Sequence, residues 1–500
     1  MISEWTMREM RTADLKDKRL NERLAKVLSM LGEKPNASIP AALDGGHTEV
    51  TAAYRLFDNS KASFVGILQS HIDATYQRVA EQQVVIVAQD TTELDLTKPE
   101  QQVVGAGPLD SGARFGEFLH PLMAFTQDGT PLGTLCAEIW TRPPIEPKAK
   151  KSKKKSEKDR KHKPIQEKET LRWLETQSHA QEIAQEMSGT HIISVADSEA
   201  DIFEVIELGT QSPANFDWVI RSCQNRGLLP EDDNAGANGC DEQDVVTLLR
   251  DRVKQQDVLF TQPISVRGRK AKVSCETRGR RQPRESRDCE VEVRAMTVTL
   301  RAPWRHDRKL QDTQVNVVLV SEINPPEGDT PVEWILITSL PIDTAEAVLL
   351  VIQSYCSRWM IEIYFRTLKS CCHIEDLRFE HIDRFERCLA VYMIVAWRTL
   401  YAVRLGREFP DLDCEAIFEP DEWRSVYQVV TKEPPPKTPP TLQQMIRMIA
   451  QLGGYVNRVR DDEPGPQTVS LGMQRMHDIT RCWRLFGPDT RPPKKEPTCV

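Results

Sequence analysis

The first hydrophobic pattern along the chain is helical. In residues 14–31, DLKDKRLNERLAKVLSML, the apolar side chains Leu15, Leu20, Leu24, Val27, Leu28 and Leu31 recur at helical spacing. Lys16, Lys18, Arg19, Arg23 and Lys26 fall largely elsewhere, which predicts an amphipathic, basic helix. A second helical stretch, TEVTAAYRLFDN, follows the Gly45-Gly46 turn, and with residues 61–80 it predicts a small N-terminal helical domain. The texture then changes to short continuous apolar runs: VVIVAQ (84–89) before Asp90, LHPLMAF (119–125), GTLCAEIW (133–140), HIISVA (191–196) before Asp197, and FDWVIRS (216–222). These read as strands. Helices are predicted over about 167–188 and in EADIFEVIEL between the later strands. Residues 225–340 have β character without helical periodicity, as in CEVEVRAMTVTL (289–300) and VNVVLV (315–320). A long helix follows over about 343–371, with more over 380–405 and 441–456. The class is α/β, with helical regions at both ends.

Charge and composition refine this outline. Residues 148–163, KAKKSKKKSEKDRKHK, hold ten Lys or Arg and predict a mobile surface loop. Residues 267–287 hold nine Arg or Lys in 21 positions, EPPPKTPP (433–440) reads as a linker, and the last dozen residues, rich in Pro and Lys, as a disordered tail. Five hundred residues predict two to four domains. A net charge of −8 excludes a uniformly basic nucleic-acid coat, and 39% hydrophobic with 28% charged residues excludes a wholly disordered chain. MISEWTMREM lacks the basic and apolar regions of a secretory signal, and the longest apolar run, Cys388–Trp397, stops at Arg398, about half of the ~20 residues a membrane span needs. Twelve scattered cysteines without a CxxC pair predict reduced thiols and no zinc site, and the expectation is a cytoplasmic protein.

Asp90 and Asp197 each follow an apolar strand directly. In an open sheet flanked by helices, ligands collect at the carboxyl ends of strands, so both carboxylates are candidates for one edge. Two apposed carboxylates require a cation, and hard oxygen ligands select Mg²⁺ or Mn²⁺. The alternative for each aspartate is a cap on the following turn, and taken singly either residue favours that alternative. On the long helix, Tyr355, Arg358, Glu362 and Lys369 fall within an arc of roughly 60° at ~100° per residue. A carboxylate between two cations suits a metal ligand beside phosphate-gripping groups; the alternative is a solvated stripe of ion pairs.

The run YCSRWMIEIYFRTLK (355–369) matches the Y-x2-R-x3-E-x6-K signature of the insertion-sequence-four family of DDE transposases. VIVAQDTT (85–92) and SVADSEAD (194–201) resemble the segments carrying that family's two catalytic aspartates, and EINPPEGDTPVEW (322–334), EVTAAYRLFDN and IAQLGGYV (449–456) are similar to family sequence. The closest resemblance is to the hairpin-forming branch that includes the transposon-five transposase, and it covers nearly the whole chain. It implies a ribonuclease-H-like core with a β-rich insertion, divided as a DNA-end-binding domain (1–76), a first core segment (77–224), the insertion (225–340), a Glu-bearing helix (341–380), a helical dimerisation region (381–487) and a tail (488–500). Asp90, Asp197 and Glu362 would hold two Mg²⁺ ions, with Mn²⁺ able to substitute. Tyr355, Arg358 and Lys369 would position phosphates, and Trp334 would stack on a base flipped during hairpin closure; without the family, Trp334 reads as a core residue of the strand WILITS.

By the same resemblance Arg221 would lie near the DNA end. The basic stretch with Arg267, Arg269, Lys270 and Lys272 suits phosphate contact or, equally, a solvated hairpin loop. Ser198 departs from the arginine that relatives often have after the second aspartate, and 148–163 looks like an insertion. The activity implied is cut-and-paste transposition in a homodimeric complex with double-stranded DNA, acting on terminal inverted repeats and a target, with no membrane partner and a bacterial cytoplasmic or nucleoid setting. The alternatives are a metal-dependent nuclease that does not join strands and an inactive DNA-binding copy that inhibits transposition.

Overall fold

Asp17 sets where the basic N-terminal helix begins. The computed structural model describes residues 2–98, 100–110, 113–144, 163–230, 247–266, 268, 285–329, 331–458 and 460–487. The Asp17 side chain accepts a hydrogen bond from the Arg19 backbone N–H, so the helix opens at Lys18 and not at residue 14. Leu20, Leu24, Val27, Leu28 and Leu31 are buried along it, and Leu15 is buried ahead of the cap. In chain order the helices α1 (Glu4–Glu9), α2 (Lys18–Glu33), α3 (Ile39–Ala42), α4 (His47–Phe57) and α5 (Phe64–Ala80) come first. Strands β1 (Val84–Gln89), β2 (Thr92–Asp95), β3 (Gly107–Pro108), β4 (Phe115–Phe125) and β5 (Pro131–Trp140) follow. Next are α6 (Leu171–Glu186), β6 (His191–Ala196), α7 (Phe203–Gly209), β7 (Phe216–Arg221) and α8 (Leu249–Lys254), the last a short helix inside the stretch expected to be β. Strands β8 (Phe260–Val266), β9 (Arg287–Leu300), β10 (Thr313–Glu322) and β11 (Glu333–Thr338) lead to α9 (Ala345–Ser357), α10 (Trp359–Arg366), α11 (Ile382–Glu408), α12 (Pro420–Thr431), α13 (Leu442–Leu452) and α14 (Pro466–Phe486).

The chain divides into two compact units, one of residues 1–82, 91–147 and 360–500, the other of residues 83–90 and 148–359. The second unit is a mixed sheet in the order β1-β6-β7-β11-β10-β9-β8. β1, β6 and β7 run parallel and the remaining pairs are antiparallel. The parallel strands are buried on both faces, which accounts for their continuous apolar runs. A buried polar bridge pins α6 to two of them: Gln177 Oε1 accepts from Gln89 Nε2 at 3.3 Å and from Ser194 Oγ at 2.8 Å.

In the first unit β4 pairs antiparallel with β2, β3 and β5. α5 lies close on β5 at Gly133, whose φ of +143° and whose Cβ position, 2.1 Å from Thr75 Oγ1, leave room for no side chain. α11 is the central helix of this unit, packing against α2, α5, β5 and α14. It is longer than its apolar run suggests, 27 residues with a stretch of mean hydropathy 1.4, long and apolar enough to cross a membrane. That stretch is 78% buried within the protein, as befits a core helix. Beside it, His71 Nε2 accepts from the Thr134 N–H at 3.1 Å, which leaves Nδ1 to donate to Glu9, itself paired with Arg78 at 3.1 Å.

Glu117 on β4 is fully buried, and neither carboxylate oxygen has a hydrogen-bond partner among the described residues. Burial, and then the nearby Glu386 carboxylate, hold its carboxyl well above the ordinary range. An acid whose folded-state value is raised gives stability at low pH that is lost as pH climbs from the unfolded value of about 4.3 toward the folded one. Glu117→Gln is therefore expected to melt higher than the parent at pH 8, by about 1–3 kcal/mol of stability, and to converge with it near pH 4. Melting curves across that range test this, and a glutamine variant less stable at pH 8 would contradict it.

Candidate active site

The parallel register brings three of the sequence candidates into one row. Ala88 on β1 pairs with Val195 on β6, so the same register carried forward sets Asp90 level with Asp197. Ala196 pairs with Ile220 on β7, which sets Asp197 level with Arg221. Neighbouring strands lie about 4.8 Å apart, so the three residues occupy matching positions at the carboxyl ends of consecutive strands. Asp197 also satisfies the alternative reading of its sequence: its side chain accepts from the Glu199 N–H at 2.8 Å and caps the short turn Ser198–Ala200. The cap engages one oxygen, and its position at the sheet edge is unaffected.

Arg358 reaches this row. Its Nη1 lies 3.2 Å from Asp90 Oδ2, and its side chain is 10% exposed, so the pair is largely shielded from water. The same guanidinium stands 5.7 Å above the Tyr355 ring, and Tyr355 in turn meets Trp334 edge-on, with ring centroids 5.6 Å apart at 61°. Trp334 is the second residue of β11 and is half-buried, whereas Ile335, Leu336, Ile337 and Thr338 behind it are buried. β11 pairs with β7 through Leu336 opposite Arg221, two residues from Trp334. Asp90, Asp197, Arg221, Trp334, Tyr355 and Arg358 all belong to the second unit.

Glu362 and Lys369 belong to the first unit. The single helix expected over 343–371 is divided: α9 ends at Ser357, the Arg358 N–H bonds back to Tyr355 O in a tighter turn, and α10 ends at Arg366 in a π turn, Thr367–Cys371. A π turn holds more residues than an α turn, so Lys369 is displaced from the line through Glu362 that uniform helical spacing predicts. Lys369 Nζ instead donates to the Glu93 carbonyl and lies 3.3 Å from Glu375 Oε1, which also accepts from the Asp95 N–H at 2.9 Å. Arg267, Arg269, Lys270 and Lys272, and the lysine-rich segment apart from Lys163, lie outside the described residues. Among the described residues no group of three or more His, Cys, Asp or Glu side chains is arranged to hold a metal ion.

One residue of the site region went unmarked in the sequence although it sits in SVADSEAD. Asp201 is 1% exposed and gathers donors from the segment after β7, among them Cys223 N and Gln224 N, each at 2.8 Å. An aspartate four positions beyond a strand-end aspartate was the available signal, but its partners lie more than twenty residues downstream.

Two parts of the chain are similar to known families. Residues 2–62 match the family described as Transposase DNA-binding, and residues 394–485 match the Transposase Tn5 dimerisation domain. Among solved structures, the chain resembles the piggyBac transposase in its cryo-EM synaptic complex with hairpin DNA. That likeness has a TM-score of 0.30 and 9% identity over 81% of this chain and 66% of the other, so the chain spans just under two thirds of that protein and the likeness is too distant to bear on fold or activity. The two family matches lie at opposite ends of the chain, one to a transposase DNA-binding family and one to a transposase dimerisation family.

Proposed function

We propose that the chain excises and inserts a mobile element by cut-and-paste, on a ribonuclease-H-like core whose catalytic carboxylates are Asp90, Asp197 and Glu362. The observation that carries this reading is the register that sets Asp90 level with Asp197 at the carboxyl ends of β1 and β6, with Arg358 against Asp90. Carboxylate oxygens are the donors a hard divalent cation takes, and Asp90 and Asp197 bring two carboxylates to one sheet edge. Asp90 and Asp197, with Glu362, would hold two Mg²⁺ ions, or Mn²⁺ in their place. When bound, such ions stabilise charge on the oxygens of an in-line displacement at phosphorus.

The chain's own groups then divide the remaining tasks. The N-terminal helices bind the terminal inverted repeat, and the C-terminal helices pair two copies of the chain. Arg358 and Lys369 hold the phosphates of the DNA end by charge, and Tyr355 offers a hydroxyl donor to the same backbone. Arg221, level with Asp197, faces the DNA end. Trp334 presents an aromatic face for the base expelled when the freed 3′-hydroxyl attacks the opposite strand and closes the hairpin. Unstacking that base costs a few kcal/mol, and an aromatic platform returns ~1–3 kcal/mol of it.

Asp90→Ala, Asp197→Ala and Glu362→Ala are each expected to reduce nicking of repeat-ended DNA below detection while end binding persists. Denaturing gels with Mg²⁺ and with EDTA read this directly, and full cleavage by any of the three variants would remove that residue from the centre. Nicks without hairpins or joined products in the parent would indicate a plain nuclease, and tight end binding with no cleavage an inhibitory copy. Trp334→Ala is expected to slow hairpin closure roughly 5- to 150-fold, the rate equivalent of the stacking it loses, with a far smaller effect on the first nick. Equal slowing of both steps in a single-turnover time course would strip Trp334 of that role.

A further inference from the structure

Asp201 makes more bonds than closing a turn requires. Its Oδ2 accepts from Ser222 Oγ at 3.1 Å, Cys223 N at 2.8 Å and Gln224 N at 2.8 Å. Its Oδ1 accepts from Arg226 Nε at 3.1 Å and from Arg226 Nη2. Its main-chain carbonyl accepts from Gln224 Nε2 and Arg226 Nη2, each at 2.8 Å. Both ionic side chains are withdrawn from water, Asp201 at 0% and Arg226 at 8% exposure. Arg226 also lies 5.7 Å from the Phe203 ring, and Cys223 Sγ donates to Ser198 O at 3.5 Å.

These bonds join two particular segments. Asp201 ends the turn that starts at Asp197, with Ala200 N bonded to Asp197 O and Asp201 N to Ser198 O. Ser222 follows Arg221 directly. The staple therefore runs between the loops that leave β6 and β7 at the edge where Asp197 and Arg221 stand level. We propose that Asp201 is a positioning residue, whose buried carboxylate fixes the spacing of Asp197 and Arg221 when DNA is gripped. The inference rests on the transposase reading, to which it adds a residue that touches neither DNA nor metal.

The chemistry of the staple needs a carboxylate. Asparagine has one acceptor oxygen, and its NH₂ would face groups that are all donors, so either Arg226 or the two amides would lose their partner. Removing one member of a buried ion pair also strands the other charge, which threatens folding whatever the role of the staple. The double variant Asp201→Asn/Arg226→Gln leaves no buried charge unpaired, and Gln224→Ala removes a single bond at an exposed position. Full-length parent and both variants are to be compared for melting temperature, affinity for a repeat-ended duplex, and first-nick rate as Mg²⁺ is varied.

The expected result is a double variant that melts and binds ends like the parent but nicks about 10- to 100-fold more slowly, with half-saturating Mg²⁺ raised, the size of effect usual for residues that orient metal ligands. Gln224→Ala should show a smaller loss in the same direction. A purely architectural staple would lower melting temperature and leave the Mg²⁺ dependence of the folded fraction unchanged. The proposal is overturned if the folded double variant nicks at the parent's rate and Mg²⁺ dependence, or, should that variant not fold, if Gln224→Ala does so. Failure of the parent to nick would be a different result, sinking the transposase reading and the staple's purpose with it.

Discussion

The register of three parallel strands is the constraint on which the rest depends. Side chains on a strand alternate between faces, so a slip of one residue between β1 and β6 would turn Asp90 away from Asp197. Burial holds the strands together without choosing the register, since Val85, Ile86, Val87 and Ala88 on one strand, and Ile192, Ile193, Val195 and Ala196 on its neighbour, are all at most 1% exposed whichever face they point to. Gln177 adds a polar check, since it bonds Gln89 on β1 and Ser194 on β6 at once. The level of the polar groups at the sheet edge is thus tied to a polar bridge further down the same strands, inside an apolar core.

Such a row has an electrostatic cost. Carboxylates at the ends of neighbouring strands repel each other, and more strongly the less water lies between them. Arg358 offsets this at Asp90 through a contact of 3.2 Å, and Arg221 stands on the far side of Asp197. Asp201 adds no uncompensated charge behind the row, because Arg226 is folded against it. Positive groups therefore flank the acidic pair on either side, an arrangement that favours phosphate as much as it restrains the carboxylates.

The legible parts of the chain are those whose cause is local. The apolar runs before Asp90 and Asp197 marked their strands, and the leucines of α2 marked its buried face; only the Asp17 cap moved the start of that helix. The break at Arg358 and the π turn after Arg366 were hidden because YCSRWMIEIYFRTLK contains neither proline nor glycine, and its periodicity is that of one continuous helix. Lys369 accordingly looked like a member of the Glu362 stripe, whereas its partners, Glu93 and Glu375, come from other parts of the chain. Asp201 was illegible for the same reason. Its donors at 222–226 are brought to it by the pairing of β6 with β7, which no pattern around residue 201 announces.

The two regions matched to transposase families are not separate beads on the chain. Both fall in the first unit, where Arg398 of the C-terminal match lies 4.5 Å over the Trp5 ring of the N-terminal match, and Asp478 lies 3.3 Å from Lys34. Between them stands α5, which neither match covers. From it Arg78 reaches Glu9 on α1 and lies 4.4 Å over the Trp397 ring on α11, while His71 meets the same ring at 4.9 Å. Burial makes this network sensitive to loss of any member, because Glu9 without Arg78 would lose the cation that hydrogen-bonds it. The two matched regions therefore share a core whose polar centre is supplied by a third segment, and a substitution in α5 reaches both without lying in either.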